Sequence, residues 1–205
     1  QRVQVYFPDA GKHVVEAILP EDAVAADNRR WSVVEFPDYE PVLVIDGDPN
    51  QRNAFYVSAI FEPGQRARTG IRPEIESTAY LRDTTPELLQ RYTTIYLLDV
   101  DRLDDRAVTN LQAFVEQGGG LAFFVGPQVN LDFYNQVLYQ DGEGLFPLPL
   151  ARDALLDSDP ADNTPDIYVE TPDHAVFREL AQGQNPIIRM IHVQRYLQPP
   201  RDWTT

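Results

Sequence analysis

The sequence contains no cysteine, one methionine (Met190), one lysine (Lys12) and three histidines (His13, His174 and His192). Without cysteine there is no disulfide, no thiolate metal site and no thiol nucleophile. A single lysine leaves Schiff-base chemistry and P-loop phosphate contacts almost no residue to work with. Positive charge is scarce too: 17 basic residues, all but Lys12 being Arg, stand against 32 acidic ones, a formal charge of −15. Such a chain has no basic footprint for nucleic-acid phosphates and is repelled by anionic lipid. No apolar run reaches the ~18–20 residues that cross a bilayer as a helix, and no signal-peptide pattern precedes the first strand pattern. The chain opens at Gln1 rather than Met. That start reads as a processed or excised product, with any anchor or export signal outside these residues.

What is present suffices for a folded core: 43% of the 205 residues are apolar, which excludes a disordered acidic tail. The length fits one domain, or one domain with a fragment of another. Residues 1–36 read as β structure. Val3, Val5 and Phe7 alternate with polar neighbours. A turn at Pro8-Asp9-Ala10-Gly11 leads to a run holding His13, Val14, Val15, Ala17 and Leu19, and Trp31 to Phe36 alternates again. Three such strands make part of an antiparallel sandwich rather than a domain.

At Pro41 the pattern changes. Val42-Leu43-Val44-Ile45 is a continuous apolar run, expected of a strand covered on both faces, and Asn53 to Phe61 reads as a helix. Ile75 to Leu81 can form a second strand. Thr84-Thr85-Pro86-Glu87 starts a helix with Pro at its first position, and Thr94 to Leu98 forms a third strand. Leu103 to Gln117 is a helix with Val108, Leu111, Phe114 and Val115 on its apolar face; Gly118-Gly119-Gly120 ends it, and Leu121 to Val125 is a fourth buried strand. A helix over Leu131 to Leu138 and a Gly/Pro/Asp-rich loop follow. Then come a strand at Ile167 to Val169, a helix at Ala175 to Ala181 and a closing strand at Ile187 to Tyr196. Gln198-Pro199-Pro200 reads as the exit into a linker. The expectation is an α/β fold, a doubly wound, mostly parallel sheet over residues 39–205, preceded by a short antiparallel β segment over residues 1–38.

Asp46 and Asp48 follow the first parallel strand and Asp99 and Asp101 follow the third. Open parallel sheets bind ligands beyond the carboxyl ends of their strands, and four carboxylates there could hold Mg²⁺ or Ca²⁺. The plainer reading is that aspartates at strand ends cap the helices and turns that follow. Gly126, after the fourth strand, stands where a nucleophile elbow would carry Ser or Cys. Its neighbours Val125, Pro127 and Gln128 supply no nucleophile, so a turn requiring glycine is the plainer reading. The triple glycine closes a helix instead of opening one, which makes it a cap rather than a phosphate cradle. The histidines show no metal-ligand spacing, and the four serines (Ser32, Ser58, Ser77 and Ser158) have no elbow context. The aromatic group Phe133, Tyr134, Tyr139 and Phe146 reads as core, with a sugar platform as the alternative.

The runs VLVIDGDP at 42–49, YTTIYLLDVDRL at 92–103 and LQAFVEQGGGLAFFVG at 111–126 resemble the class I glutamine amidotransferase-like (flavodoxin-like) domain. More narrowly, they are similar to the version found in large bacterial membrane proteins of the BatA/von Willebrand factor A type, common in planctomycetes. Gly11, His13, Val15, Asp22, Asp27 and Asn28 match a stretch that ends a β-sandwich ahead of that domain, and PDHAVF at 172–177 and RYL at 195–197 also fit. The active enzymes of this resemblance carry a Cys at the elbow with His and Glu later in the chain. Here the elbow is Gly126 and no Cys exists, so no catalytic residue carries over, His174 included. The resemblance implies a non-catalytic interaction or scaffold domain without cofactor, anchored in a membrane through other segments and facing out of the cytoplasm. Its partner would be a protein or the rest of its own chain. Related sugar-metabolism (ThuA-like) domains also lack the cysteine, so the alternative is a carbohydrate- or divalent-cation-binding domain, or a weak hydrolase, using Asp46, Asp48, Asp99, Asp101 and Gly126 at the carboxyl edge of the sheet.

Overall fold

The computed structural model describes residues 3–7, 9–20, 28–64, 69–155, 193, 195–200 and 203, with the side chains of 152–155 excepted. The expected elements at Ile167 to Val169 and Ala175 to Ala181, most of the closing strand from Ile187, and His174, His192, Asp22 and Asp27 lie outside them. The described chain divides into two compact units. The first holds the residues up to Leu98 together with Asp104–Ala122, and the second holds Asp99–Leu103 and the residues from Phe123 on.

In the first unit, β1 (Gly11–Ile18) and β2 (Arg29–Phe36) form a two-stranded antiparallel sheet, paired from Gly11 opposite Phe36 to Ile18 opposite Arg29. The strand expected over Val3 to Phe7 is not formed. Val3 and Val5 face solvent, so their alternation has no buried side to serve; only Phe7 is engaged, its ring 4.7 Å from His13 and 5.0 Å from Phe36. The His13 ring nitrogen Nε2 also lies 2.7 Å from Asp9 O. His13 is therefore a structural residue of the hairpin.

The main sheet is four-stranded and all parallel, ordered β4-β3-β5-β6, an order consistent with a flavodoxin-like fold. β3 (Glu40–Asp46) pairs with β4 (Ile71–Glu76) on one side and β5 (Thr94–Leu98) on the other. It has no open edge, which is why Val42 to Ile45 is unbroken apolar sequence and is at most 3% exposed. α1 (Arg52–Phe61) packs Ala54 against Val44 and Leu98, with Val57, Ile75 and Tyr96 at the margin.

The second strand lies earlier than its sequence suggests. β4 starts at Ile71, and Thr78–Asp83 forms the helix α2 in place of the expected strand end at Leu81. Among the described residues β4 is an edge strand bonded to β3 alone, and an edge tolerates Pro73, which has no N–H to give a second neighbour. The short helix α3 (Pro86–Leu89) has its proline in the first turn, as read. α4 (Asp105–Glu116) buries Ala107, Val108, Leu111 and Phe114, and with them Asn110, whose amide donates to Leu81 O (2.8 Å) and Thr84 O (3.2 Å). Asn110 thereby satisfies carbonyls at the end of α2. Val115, expected on the apolar face, sits at its edge and is 38% exposed.

Gly118 and Gly119, which follow α4, are glycine for separable reasons. Gly118 takes φ 95, the left-handed cap. A Cβ on Gly119 would stand 2.3 Å from the Phe114 ring, which itself is fully buried. Among the described residues β6 (Gly120–Phe124) closes the order; it is half-buried, with Phe124 54% exposed, which corrects the buried strand expected there.

The second unit has its own apolar centre. The Tyr134 ring meets Phe123 and Phe146 edge-on, with centroids 6.3 and 5.1 Å apart, and Leu138 and Leu150 are buried. The helix expected over Leu131 to Leu138 is a single α turn, α5 (Leu131–Phe133), capped by the Asn130 side chain, running into a π-helical stretch over Tyr134–Tyr139. β7 (Arg152–Leu155) and β8 (Arg195–Gln198) form a second antiparallel pair. No helix among the described residues is long and apolar enough to cross a membrane. Gly119→Ala should destabilise the chain by about 1–3 kcal/mol, the ordinary cost of overpacking a closed core, whereas Gly120→Ala should cost less, since the nearest atom there is the Thr94 hydroxyl at 3.0 Å; urea unfolding of the two variants measures the difference.

Candidate functional site

β3 ends at Asp46, and the chain turns through Gly47-Asp48-Pro49-Asn50 into α1, with Gln51 in the left-handed region at φ 54. Asp46 is 6% exposed. Its Oδ1 accepts from the Asp48 N–H (2.9 Å) and the Asn53 amide (3.0 Å), and its Oδ2 from the Ala54 N–H (2.7 Å). Ala54 is the third residue of α1, so Asp46 does from the strand what the Gln51 side chain does not do at the cap position. Its negative charge also faces the positive end of the helix dipole.

Asp48 is 5% exposed and serves the same turn. Its Oδ1 accepts from the Asn50 N–H at 3.0 Å, and its other oxygen pairs with the Arg52 guanidinium. The Asn50 N–H first, and the Arg52 pairing after it, hold the Asp48 carboxyl below its ordinary pKa against the opposing effect of burial. In register, Asp46 stands opposite Leu98, and the Gly47 N–H donates to Leu98 O at 2.8 Å. Asp46 and Asp48 are thus brought together, with every carboxylate oxygen occupied by a donor of the first unit.

Asp99 and Asp101 belong to the second unit. Asp99 occupies the left-handed region at φ 47, uncommon for a residue other than glycine. Its N–H donates to Phe124 O at 2.7 Å. Its Oδ1 accepts from the Gln128 N–H (2.9 Å), and its Oδ2 from the Gln128 amide (3.3 Å). Gly126 is in direct contact with it: a Cβ there would lie 2.6–2.9 Å from the Asp99 carboxylate atoms. Gly126 is therefore glycine because the carboxylate lies against its Cα, a reason more specific than a turn. Asp101 has a different role. It is exposed, its carboxylate is 3.9 Å from Arg102, and its carbonyl accepts from the Asn130 N–H at 3.4 Å. The buried Tyr134 hydroxyl donates to Val100 O at 3.0 Å; burial raises its pKa, and the Asp99 and Asp101 charges raise it further.

Beside this turn, the second unit has a cleft of about 720 Å³ lined by Val125, Gly126, Pro127, Val129, Leu131, Arg195, Tyr196 and Leu197. Its size is that of a small-molecule site, and its walls are mainly apolar with one guanidinium and one phenol. The sequence reading pointed to Gly126 but missed Arg195 and Tyr196, which arrive from β8 about seventy residues away, and Gln128, whose partner Asp99 is 29 residues distant. A Gly-Pro step directly after an apolar strand was the one local signal for this turn. Among the described residues, no group of three or more His, Asp or Glu side chains could hold a metal ion. No protein-family model, curated protein or solved structure matches the chain.

Two outcomes follow from these contacts. The Asp48 pKa is depressed in the folded state, so its contribution to stability is present above the ordinary carboxylate value of about 3.9 and is lost as pH falls through the lower folded value. Asp48→Asn should accordingly lower the melting temperature at pH 7, and the gap to the unaltered chain should narrow below pH ~4, as melting curves across the range will record. Gly126→Ala should cost about 1–3 kcal/mol by overpacking against Asp99. The loss should be smaller when Asp99→Ala is already present, a non-additivity measurable by a double-mutant cycle in urea.

Proposed function

We propose that the chain is a non-catalytic interaction or scaffold domain of the amidotransferase-like type, part of a larger bacterial membrane-anchored protein whose soluble portion faces out of the cytoplasm. The observation that carries the reading is the turn after β6. At the position where the enzymes of the resemblance keep their cysteine, this chain has Gly126, and the Asp99 carboxylate lies against it. The Gln128 N–H and side-chain amide, donors that could otherwise meet a developing oxyanion, are bonded to that carboxylate. A fixed negative charge at this point also disfavours the anionic intermediate of acyl transfer. The strand-end acids Asp46 and Asp48 are likewise engaged by their own turn. The membrane anchor, the bacterial origin and the protein partner rest on the resemblance alone.

A second reading is favoured by one observation, the cleft beside Gly126, where Tyr196 and Arg195 accompany apolar walls. Tyrosine faces and a guanidinium suit a sugar or another small polar ring. Two measurements divide the readings. With glutamine and with activated esters, the chain should release ammonia or acid no faster than buffer does. Turnover abolished by Asp99→Asn would overturn the non-catalytic reading. In a thermal-shift series with monosaccharides and divalent cations, the scaffold reading expects an unchanged midpoint. A rise lost in Tyr196→Ala would favour the sugar reading, and a cation-dependent rise lost in Asp46→Ala or Asp99→Ala would favour the carboxylates as ligands.

A further inference from the structure

The hairpin of the first unit is unusual in what it leaves uncovered. A two-stranded sheet is marginal in water without further strands or a covering layer, yet on one face Val14 (66%), Ile18 (60%), Trp31 (63%) and Val33 (66%) are exposed. That face consists of Lys12, Val14, Glu16 and Ile18 on β1 and of Arg29, Trp31, Val33 and Glu35 on β2, since directly paired residues share a side. Its charges are paired within the face: Lys12 is 3.8 Å from Glu35 at one end, and Arg29 at the other end is 3.4 Å from Glu16, which lies opposite Trp31. Among the described residues, β2 pairs with β1 alone, so its other edge is open. An open, apolar-faced edge is a template for another strand.

The hydrogen-bond phase of the hairpin shows which groups that edge offers. The Leu19 N–H donates to Asn28 O at 2.8 Å, in register with the Ile18–Arg29 pair that follows. In an antiparallel ladder bonded and non-bonded pairs alternate. The even-numbered residues of β2 therefore bond to β1, and Arg29, Trp31, Val33 and Glu35 turn their N–H and C=O groups to the open side. These four are also the residues of the exposed face.

Read outward from Ser32, β2 is Arg29-x-Trp31-Ser32-Val33-x-Glu35, with opposite charges at its ends and apolar residues inside them. An antiparallel copy centred on Ser32 would place Arg29 opposite Glu35, Trp31 opposite Val33, and the reverse on the other half. Each pair uses the outward N–H and C=O groups, and each is of a favourable cross-strand kind: opposite charges, or an aromatic against a β-branched side chain. Shifting the centre to Trp31 sets Arg29 against Val33, and shifting it to Val33 sets Trp31 against Glu35. Both shifts lose the charge match. Centred on Ser32, the Lys12–Glu35 pair extends across the new boundary to Arg29 of the other copy, which is itself ion-paired diagonally with Glu16.

We propose that β2 is a homodimer interface, in which the β2 edges of two chains pair antiparallel about a two-fold axis at Ser32 and merge two hairpins into one four-stranded sheet. Such an interface is isologous and closes after two copies. It is independent of the cleft and of the turn after β6, and it stands whichever reading of those residues holds.

The absence of cysteine makes the register directly testable. Ser32 meets its own copy in a non-bonded pair, where Cα atoms approach to about 4.5 Å, within the range a disulfide spans. Arg30 is displaced from its own copy by four residues, about 13 Å along the strand. Under a mild oxidant such as copper phenanthroline at micromolar protein, Ser32→Cys should give a covalent dimer in high yield, and Arg30→Cys should give at least about tenfold less. Sedimentation velocity on the unaltered chain should show a reversible monomer–dimer equilibrium that Trp31→Ser shifts toward monomer. Equal cross-linking of the two cysteine variants would overturn the register. A chain that stays monomeric at millimolar concentration, or a dimer unaffected by Trp31→Ser but abolished by Lys12→Glu on β1, would overturn the interface.

Discussion

The two-sided pairing of β3 is the constraint on which the first unit depends. Lying between β4 and β5, this strand has both edges bonded and both faces covered, so every residue from Val42 to Ile45 must be apolar. Burying four such side chains contributes on the order of 6–12 kcal/mol at about 1.5–3 kcal/mol each, comparable to the whole net stability of a domain. The strand must also stop abruptly, and Asp46 accomplishes that. Its carboxylate collects the N–H groups of Asp48 and Ala54, turning the chain and starting α1 in one set of bonds. The carboxylate that ends the strand is therefore the one that begins the helix covering it.

The same device recurs in the second unit with a different geometry. Asp99 leaves its strand in the left-handed region and binds both donors of Gln128, while Gly126 yields the space for its side chain. Parallel sheets place helix N-termini and turn amides beyond the carboxyl ends of their strands, and those donors attract anions. In many proteins a ligand supplies the anion. Here the chain supplies its own at Asp46 and Asp99, which is consistent with the excess of acidic over basic residues.

Legibility in the sequence followed the range of the interactions. β5 at Thr94 to Leu98 falls where its apolar run lies, and α4 and the start of α3 follow from periodicity and from Pro86. β4 lies earlier than the stretch Ile75 to Leu81 suggests, since its first half contains Pro73, which a strand accommodates where one edge has no neighbour to bond. Val3 to Phe7 alternates without forming a strand, since alternation describes a face and not the partner that would cover it. The exposure of Phe124 and Val115 likewise depends on position in the sheet and on neighbouring elements, which no local window contains.

The site divides the same way. That Asp46 and Asp48 could be caps was readable from their spacing alone, and so was the missing elbow nucleophile. That Asp99 and Gly126 exclude a side chain between them was not, because the contact spans two chain segments. The central question is whether these carboxylates serve the fold rather than a ligand. Amide hydrogen exchange followed by NMR tests this directly at the Ala54 and Gln128 N–H groups. Both should be protected, and neither should change in shift or protection when millimolar Mg²⁺ or Ca²⁺ is added. Rapid exchange at both amides, or a cation-dependent loss of their protection, would contradict a role in the fold.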